Sequence, residues 1–262
     1  MINIAITAGG TEEPIDGIRK ITNMSSGSLG WHCLESVINH MHENHRTDFR
    51  IHYIKSSRAI TKELHPNDES YIKFIDVTNT QSVYDSVDKL MNENKIDVFI
   101  HAMAISDFSY SYTAPVVDLA EELHRAFTIN KQISKEDILS ILNNPECKYN
   151  KNEKISSKRE IVMGLTTTPK VISLIKKKNP DTFLVGFKLV KQSNKSNLLN
   201  EAEKLRITNK CDAVFANESY DLSEANHSGI LLHHGQVVAK LVGKKQIAQG
   251  IVNLAIKESM KL

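Results

Sequence analysis

The sequence predicts an α/β fold: a mainly parallel sheet flanked by helices, with a long inserted arm. Three observations predict it. Short apolar runs of strand length alternate with segments whose apolar residues recur at helical spacing. The first run, INIAITA at residues 2–8, opens directly into Gly9 and Gly10 and a polar stretch. The alternation breaks once, over residues 107–157, and then resumes.

In chain order, residues 2–8 read as a buried strand. From Gly27 the period changes: Leu29, Cys33, Leu34, Val37, Ile38 and Met41 fall on one helical face. Residues 49–55 (FRIHYIK) and 71–77 (YIKFIDV) read as strands, 80–94 as a helix carrying Val83, Val87, Leu90 and Met91 inward, and 96–102 (IDVFIHA) as a strand. The stretch 107–157 is polar, with one expected helix at 134–142, opened by Ser134 with Asp137 three residues on. It is long for a connection, so it is expected to be a flap or an interaction arm, over about 108–157. The rhythm returns with a helix from about Thr168 to Lys178, a strand at 182–187, a helix over 197–209 and a strand at 212–217. Residues 229–233 and 236–242 read as a hairpin around His234 and Gly235, and Ile247, Ile251, Leu254 and Ala255 mark a final helix. Right-handed βαβ units of this kind give a Rossmann-like sheet. With no Pro-, Gly- or Ser-rich linker, residues 1–262 are expected to form a single domain.

Composition removes several classes. The 262 residues are 40% hydrophobic and 24% charged, with a net charge of +2, which fits a globular chain and not a dedicated nucleic-acid binder. The basic pairs and triplets, Lys176-Lys177-Lys178 and Lys244-Lys245, read as solvated helix ends. Cys33, Cys147 and Cys211 are far apart and odd in number, which suits a reducing, cytoplasmic location and no disulfide framework. The start MINIAITAGG lacks a basic region and a signal-length apolar core, and no apolar run reaches membrane-span length. His40, His42 and His45 do not share a helical face, and His233 and His234 would point to opposite sides of a strand, so neither group reads as a metal site.

Ligands of open parallel sheets bind beyond the carboxyl ends of strands. Polar segments 7–30, 101–108 and 217–220 leave such ends, and 186–188 sits at another. The first is the most telling. Ser25, Ser26 and Gly27 lie where a helix should begin, and helix N-termini attract phosphate. Gly9 and Gly10 let the backbone turn and approach a ligand closely. A plain helix cap would need one hydroxyl and leaves Arg19 and Asn23 unexplained. The G-x-G-x-x-G dinucleotide spacing and the Walker lysine motif are both absent.

The segment ITAGGTEEPIDGIRKITNMSSGSLG resembles the opening of phosphopantothenate–cysteine ligases, which carry T-A-G-[GP]-T-x-E-P-[IL]-D and then R-x-I-[ST]-N-x-S-S-G-x-x-G. HAMAISDF, NEKISS, TPKVI, LVGFK and CDAVFANE resemble later motifs of that family, so the likeness runs to about residue 218. It looks closest to the free-standing bacterial form, since the first strand begins at residue 2 and leaves no room for a fused decarboxylase. Ser156 and Ser157 depart from the family's lysine pair, and Ser106 from its usual alanine.

The resemblance implies a ligase of coenzyme A biosynthesis that joins 4'-phosphopantothenate to L-cysteine through an acyl-nucleotide, with CTP or ATP as co-substrate, Mg²⁺, and pyrophosphate as product. It implies a homodimer and no nucleic-acid or membrane partner. Asn23 and Arg19 match its catalytic asparagine and motif arginine. Gly10, Ser25, Ser26, Gly27, Ala104 and Ile105 match substrate-binding positions. Asp107, reaching phosphates through Mg²⁺, Lys154, Pro169, Lys170, Val171, Ile172 and Phe187 match nucleotide-binding positions. Lys204, Arg206 and Lys210 share the place of its later lysines, and the nucleotide preference stays open between CTP and ATP. Two rivals remain: a nicotinamide oxidoreductase, weakened by the missing glycine spacing, and a non-catalytic sensor of a nucleotide or pantothenate derivative on the same fold.

Overall fold

The computed structural model describes residues 1–130, 132–150, 159–190, 195–218 and 227–261. In chain order the elements are β1 (Ile2–Ala8), β2 (Glu12–Pro14), β3 (Lys20–Thr22), α1 (Ser28–Glu43), β4 (Phe49–Ser56), α2 (Pro66–Glu69), β5 (Ile72–Val77), α3 (Thr80–Glu93) and β6 (Val98–His101). The chain continues through β7 (Phe108–Pro115), α4 (Val116–Asn130), α5 (Lys135–Asn143) and β8 (Ile161–Thr167). It then runs through α6 (Val171–Lys178), β9 (Phe183–Val190), α7 (Lys195–Asn209), β10 (Ala213–Glu218), β11 (Ser228–His233), β12 (Gln236–Val242) and α8 (Lys244–Ser259). Two compact units result: Met1–Thr11 with Asn23–Ile105 and Pro169–Leu262, and Glu12–Thr22 with Ser106–Thr168.

The larger unit holds an eight-stranded sheet in the order β12-β11-β10-β9-β6-β1-β4-β5. From β5 through β10 the pairings are parallel; β11 and β12 add an antiparallel edge. The expected Rossmann-like α/β architecture is therefore present. Side-chain alternation divides β1 between two layers. Ile2, Ile4, Ile6 and Ala8 meet α1 and α8 through Trp31, Leu34, Val37, Ile251 and Ala255, while Ala5 lies in the layer of α3, α6 and α7 with Val83, Val87, Ile175 and Ala202. Parallel strands buried on both faces lack a clean polar alternation, which is why these runs read as continuously apolar.

The strand order changes direction at β1: the chain builds outward to β4 and β5, then returns to place β6 and β9 on the other side. The ends of β1 and β6 therefore diverge into different connections and leave a crevice between them. An isolated parallel bridge between Gly10 and Ala104, and the Ala104 N–H bonded to the Gly9 carbonyl at 2.8 Å, hold its two lips together.

The smaller unit corrects the expectation that residues 107–157 carry only one helix. Strands β7 and β8 pair antiparallel from Phe108 with Thr167 to Pro115 with Ile161, and α4 follows β7 directly. The sequence FSYSYTAP has few aliphatic residues, and α4 begins after Pro115 without a Ser, Thr, Asp or Asn cap, so the usual boundary signals are missing. The pairing partner lies about fifty residues away, beyond any local pattern. Helix α5 matches the expectation closely: Ser134 and Asp137 form a full capping box. Tyr112 ties α5 to the sheet by donating to the Leu142 carbonyl at 2.6 Å, and Gly164 makes room for its ring.

Candidate functional site

Helix α1 carries its N-terminus to the crevice without a side-chain cap. Its N-cap is Gly27 in the left-handed region, φ 72°, which has no side chain to cap it. Ser25 accepts from the Gly27 N–H at 3.3 Å, and Ser26 accepts from the Ser28 N–H at 3.4 Å while donating to the Ser28 hydroxyl at 3.1 Å. The geometry explains the small residues. A Cβ on Gly27 would crowd Ala59 and the Gly9 nitrogen, one on Gly30 would press into Ala8 of β1, and one on Gly10 would overlap the Asn23 carbonyl oxygen. The loop after β4 closes over this turn, with the Ile60 N–H donating to the Ser26 carbonyl at 2.8 Å.

These residues line a cavity of about 280 Å³ with Met24, Ser25, Ser26, Gly27, Ser28, Leu29 and Gly30 on one side and Ala102, Met103 and Ala104 from the end of β6 on another. Phe187 and Leu189 of β9, Asn217 of β10, His227 and Lys244 complete it. The ends of β1, β6, β9 and β10 thus converge as the sequence implied. Two rings, Phe187 and His227, face the cavity; behind them the buried Phe215 ring lies 6.1 Å from Phe187 and stacks with His227 at 6.2 Å with an interplanar angle of 18°. Uncapped N–H groups at one end and flat rings at the other suit an anionic ligand that carries a planar group.

Beneath the cavity the Thr7 hydroxyl receives the Met103 N–H at 3.1 Å and meets His101 Nδ1 at 3.1 Å. Burial depresses the His101 pKa to about 4, so the ring is neutral near pH 7 and acts as a fixed support for the β6 end. Asn23 donates from Nδ2 to the Ile105 carbonyl at 2.9 Å, which draws the end of the motif onto the residues after β6.

The remaining expected residues are distributed as follows. Pro169, Lys170, Val171 and Ile172 form the entry to α6, with Val171 in the core and Lys170 as N-cap, and none of them lines the cavity. Lys204, Arg206 and Lys210 lie on or just after α7, also outside it; Arg206 forks onto Glu203 at 2.8 and 2.7 Å. Arg19 belongs to the smaller unit, where it grips Asp16 at 2.8 and 2.6 Å; that hydrogen bond is the main reason the Asp16 pKa falls to about 2. Asp107 is exposed in the same unit, and its carbonyl accepts from Thr168 N–H at 3.1 Å. Lys154, Ser156 and Ser157 lie outside the described residues. Among the described residues no group of three His, Cys, Asp or Glu side chains is arranged to hold a metal ion.

Sequence reasoning missed Met24, Ser28, Leu189, His227 and Lys244. Lys244 had read as a solvated helix end; the overlooked signal is that two lysines begin α8, where the helix dipole disfavours cations. A larger cavity, of about 500 Å³, lies away from the strand ends among α1, α2 and α8, lined by His32, Glu35, His65 and Asp68 among others.

A family model described as the DNA/pantothenate metabolism flavoprotein C-terminal domain matches residues 2–146 and 117–258. Among curated proteins, the coenzyme A biosynthesis bifunctional protein CoaBC of Thermococcus kodakarensis is 28% identical over 215 residues, 82% of this chain and 40% of that protein. The chain therefore spans about 40% of that relative's length. The crystal structure of the DNA/pantothenate metabolism flavoprotein from Streptococcus pneumoniae is similar with a TM-score of 0.78 and 29% identity, over 98% of this chain and 100% of that one. A Cab2 mutant in complex with phosphopantothenate-cysteine shares the fold, at a TM-score of 0.67 and 15% identity, over 99% of this chain and 87% of that one.

Proposed function

The chain belongs to the family of the DNA/pantothenate metabolism flavoprotein C-terminal domain, and from that premise we propose that it is a phosphopantothenate–cysteine ligase of coenzyme A biosynthesis. The observation that carries the reading is the crevice beside β1, which joins an uncapped helix N-terminus to an aromatic wall. A nucleotide and a phosphorylated acid both match that pairing of anion and planar or apolar groups.

A carboxylate acylates an amine only after it gains a leaving group. In the first step a carboxylate oxygen of 4'-phosphopantothenate attacks the α-phosphorus of CTP or ATP. A P–O bond forms and the bond to pyrophosphate breaks. In the second the cysteine amine attacks the acyl carbon. A C–N bond forms, the bond to the nucleoside monophosphate breaks, and the amine proton leaves to solvent. Both steps gather negative charge, so positioned donors carry the catalysis.

In this scheme Asn23 donates to the developing oxyanion without changing its own protonation. Arg19, whose fork is held by Asp16 in this structure, would exchange that carboxylate for the substrate carboxylate or a phosphate. Gly10, Ser25, Ser26 and Gly27 hold phosphate through backbone and hydroxyl donors, with Ala104 and Ile105 along the acid and Phe187 beside the base. Arg206 is engaged by Glu203, so a triphosphate contact from that stretch falls to Lys204 or Lys210. Mg²⁺ would neutralise phosphate charge in both steps. Asp107 would be its protein contact. The buried free thiols of Cys33 and Cys211 suit a reducing cytoplasm, and the exposed apolar side chains of the smaller unit, Phe127 and Ile129 among them, suit a homodimer.

The test is pyrophosphate release with 4'-phosphopantothenate, Mg²⁺ and either CTP or ATP, with and without cysteine. Release that requires phosphopantothenate, with amide formed only when cysteine is added, is the expected result and names the nucleotide. Nucleotide binding without release would replace the ligase with a sensor.

A further inference from the structure

Lys244 stands out among the cavity residues. It begins α8, its Nζ donates to the Ser28 hydroxyl at 2.8 Å, and it lines the cavity with Ser28 itself. Among the described residues no carboxylate pairs with it. Its hydrogen-bond partner is a neutral hydroxyl on the cavity wall, and Lys244 itself is half-buried beside it.

The surroundings add to that charge. Neither α1 nor α8 has an acidic residue in its first turn, and neither has a side-chain cap. A cation in the first turn of α8 opposes the helix dipole, so local helix physics does not account for it. Its neighbour Lys245 is exposed and faces the other cavity, so the two lysines of this pair are not equivalent. On the cavity side, Ser28, Gly27 and Lys244 supply donors, and among the described residues no Asp or Glu lines the cavity.

We propose that Lys244 is a phosphate-binding residue of this site, and that Ser28 positions it. The ammonium is held at the mouth of the α1 N-terminus by one hydrogen bond and gives its remaining donors to a phosphate oxygen. The phosphate belongs to the nucleotide or to the phosphorylated acid, and the two sources are separable by experiment. The inference deepens the ligase reading and rests on it for the identity of the ligands, but not for the anion.

The experiment compares the wild-type chain with Lys244→Ala, Lys244→Arg and Ser28→Ala by calorimetry. The ligands are pyrophosphate, CTP against cytidine, ATP against adenosine, and 4'-phosphopantothenate against pantothenate. Lys244→Ala is expected to weaken one phosphorylated member about 10- to 100-fold, the range for a lost charge-assisted hydrogen bond, and to leave its dephosphorylated counterpart unchanged. Lys244→Arg should recover most of the affinity, and Ser28→Ala should lose a few-fold. The weakened ligand identifies the source of the phosphate. Equal loss for phosphorylated and dephosphorylated ligands, together with a lowered thermal midpoint, would make Lys244 a structural tether between α1 and α8 and overturn the proposal; so would unchanged affinities. If pyrophosphate binding depends on Lys244 while no ligase turnover occurs, the ligase reading fails and the Lys244 assignment stands.

Discussion

Asn23 is where a single side chain bears most on the proposed chemistry. Its amide donates to the Ile105 carbonyl, so a carboxylate in its place would set oxygen against oxygen and remove the donor. Asn23→Asp is expected to cut turnover by about 10²- to 10³-fold, the effect of losing one oxyanion donor, with the thermal midpoint little changed. Steady-state rates near wild type would remove Asn23 from the reaction. His101 offers a pH test. Its pKa falls from 6.5 to about 4 through burial, so the unfolded chain binds the proton first on acidification. Stability is then full above about pH 6.5 and falls as the pH drops toward 4. Urea midpoints should decline across that window, and a His101→Gln variant should show a shallower decline. Gly27, at φ 72° and hemmed in by Ala59, should lose more than about 1 kcal/mol when changed to Ala; an unchanged denaturation midpoint would contradict the strain argument.

At the scale of elements, α1 has two roles that constrain each other. Its face fills the core with Trp31, Leu34 and Val37, and its end builds the cavity. Gly30 lets the helix lie against Ala8 of β1, so a larger residue there would displace the N-terminus from the crevice. Helix α5 has the opposite design: it buries little, and its capping box defines its start. Ser134→Ala should cost about 1 kcal/mol, seen as faster hydrogen exchange in α5 with no change in the sheet. These elements also show what was readable. The α1 face and the Ser134 signal are local and were legible. Strands β7 and β8 were not, because each has its partner far along the chain and neither shows strong alternation.

For the whole molecule, the sheet order brings residues near 8, 102, 187, 217 and 244 to one crevice. Deleting volume from the core that α8 shares with α1 should be costly: Ile251→Ala, fully buried, is expected to lose about 2–5 kcal/mol by chemical denaturation. The proposed homodimer is tested by sedimentation. A dimer at micromolar concentration is expected, and Phe127→Glu with Ile129→Glu should shift it to monomer if the smaller unit supplies the contact. A monomer in the wild type would end that proposal.

The sequence by itself determined the α/β alternation, the motif at residues 7–30 and the family, because these rest on local periodicity and on residue types at short spacing. Only the tertiary structure decided that α1 is uncapped, that Pro169 to Ile172 and the α7 basic residues lie outside the cavity, and that Lys244 lies inside it. The physical reason is distance along the chain. A lysine more than two hundred residues from the serine it touches leaves no local pattern, and only the parallel sheet, which sets helices α1 and α8 side by side, brings the two together.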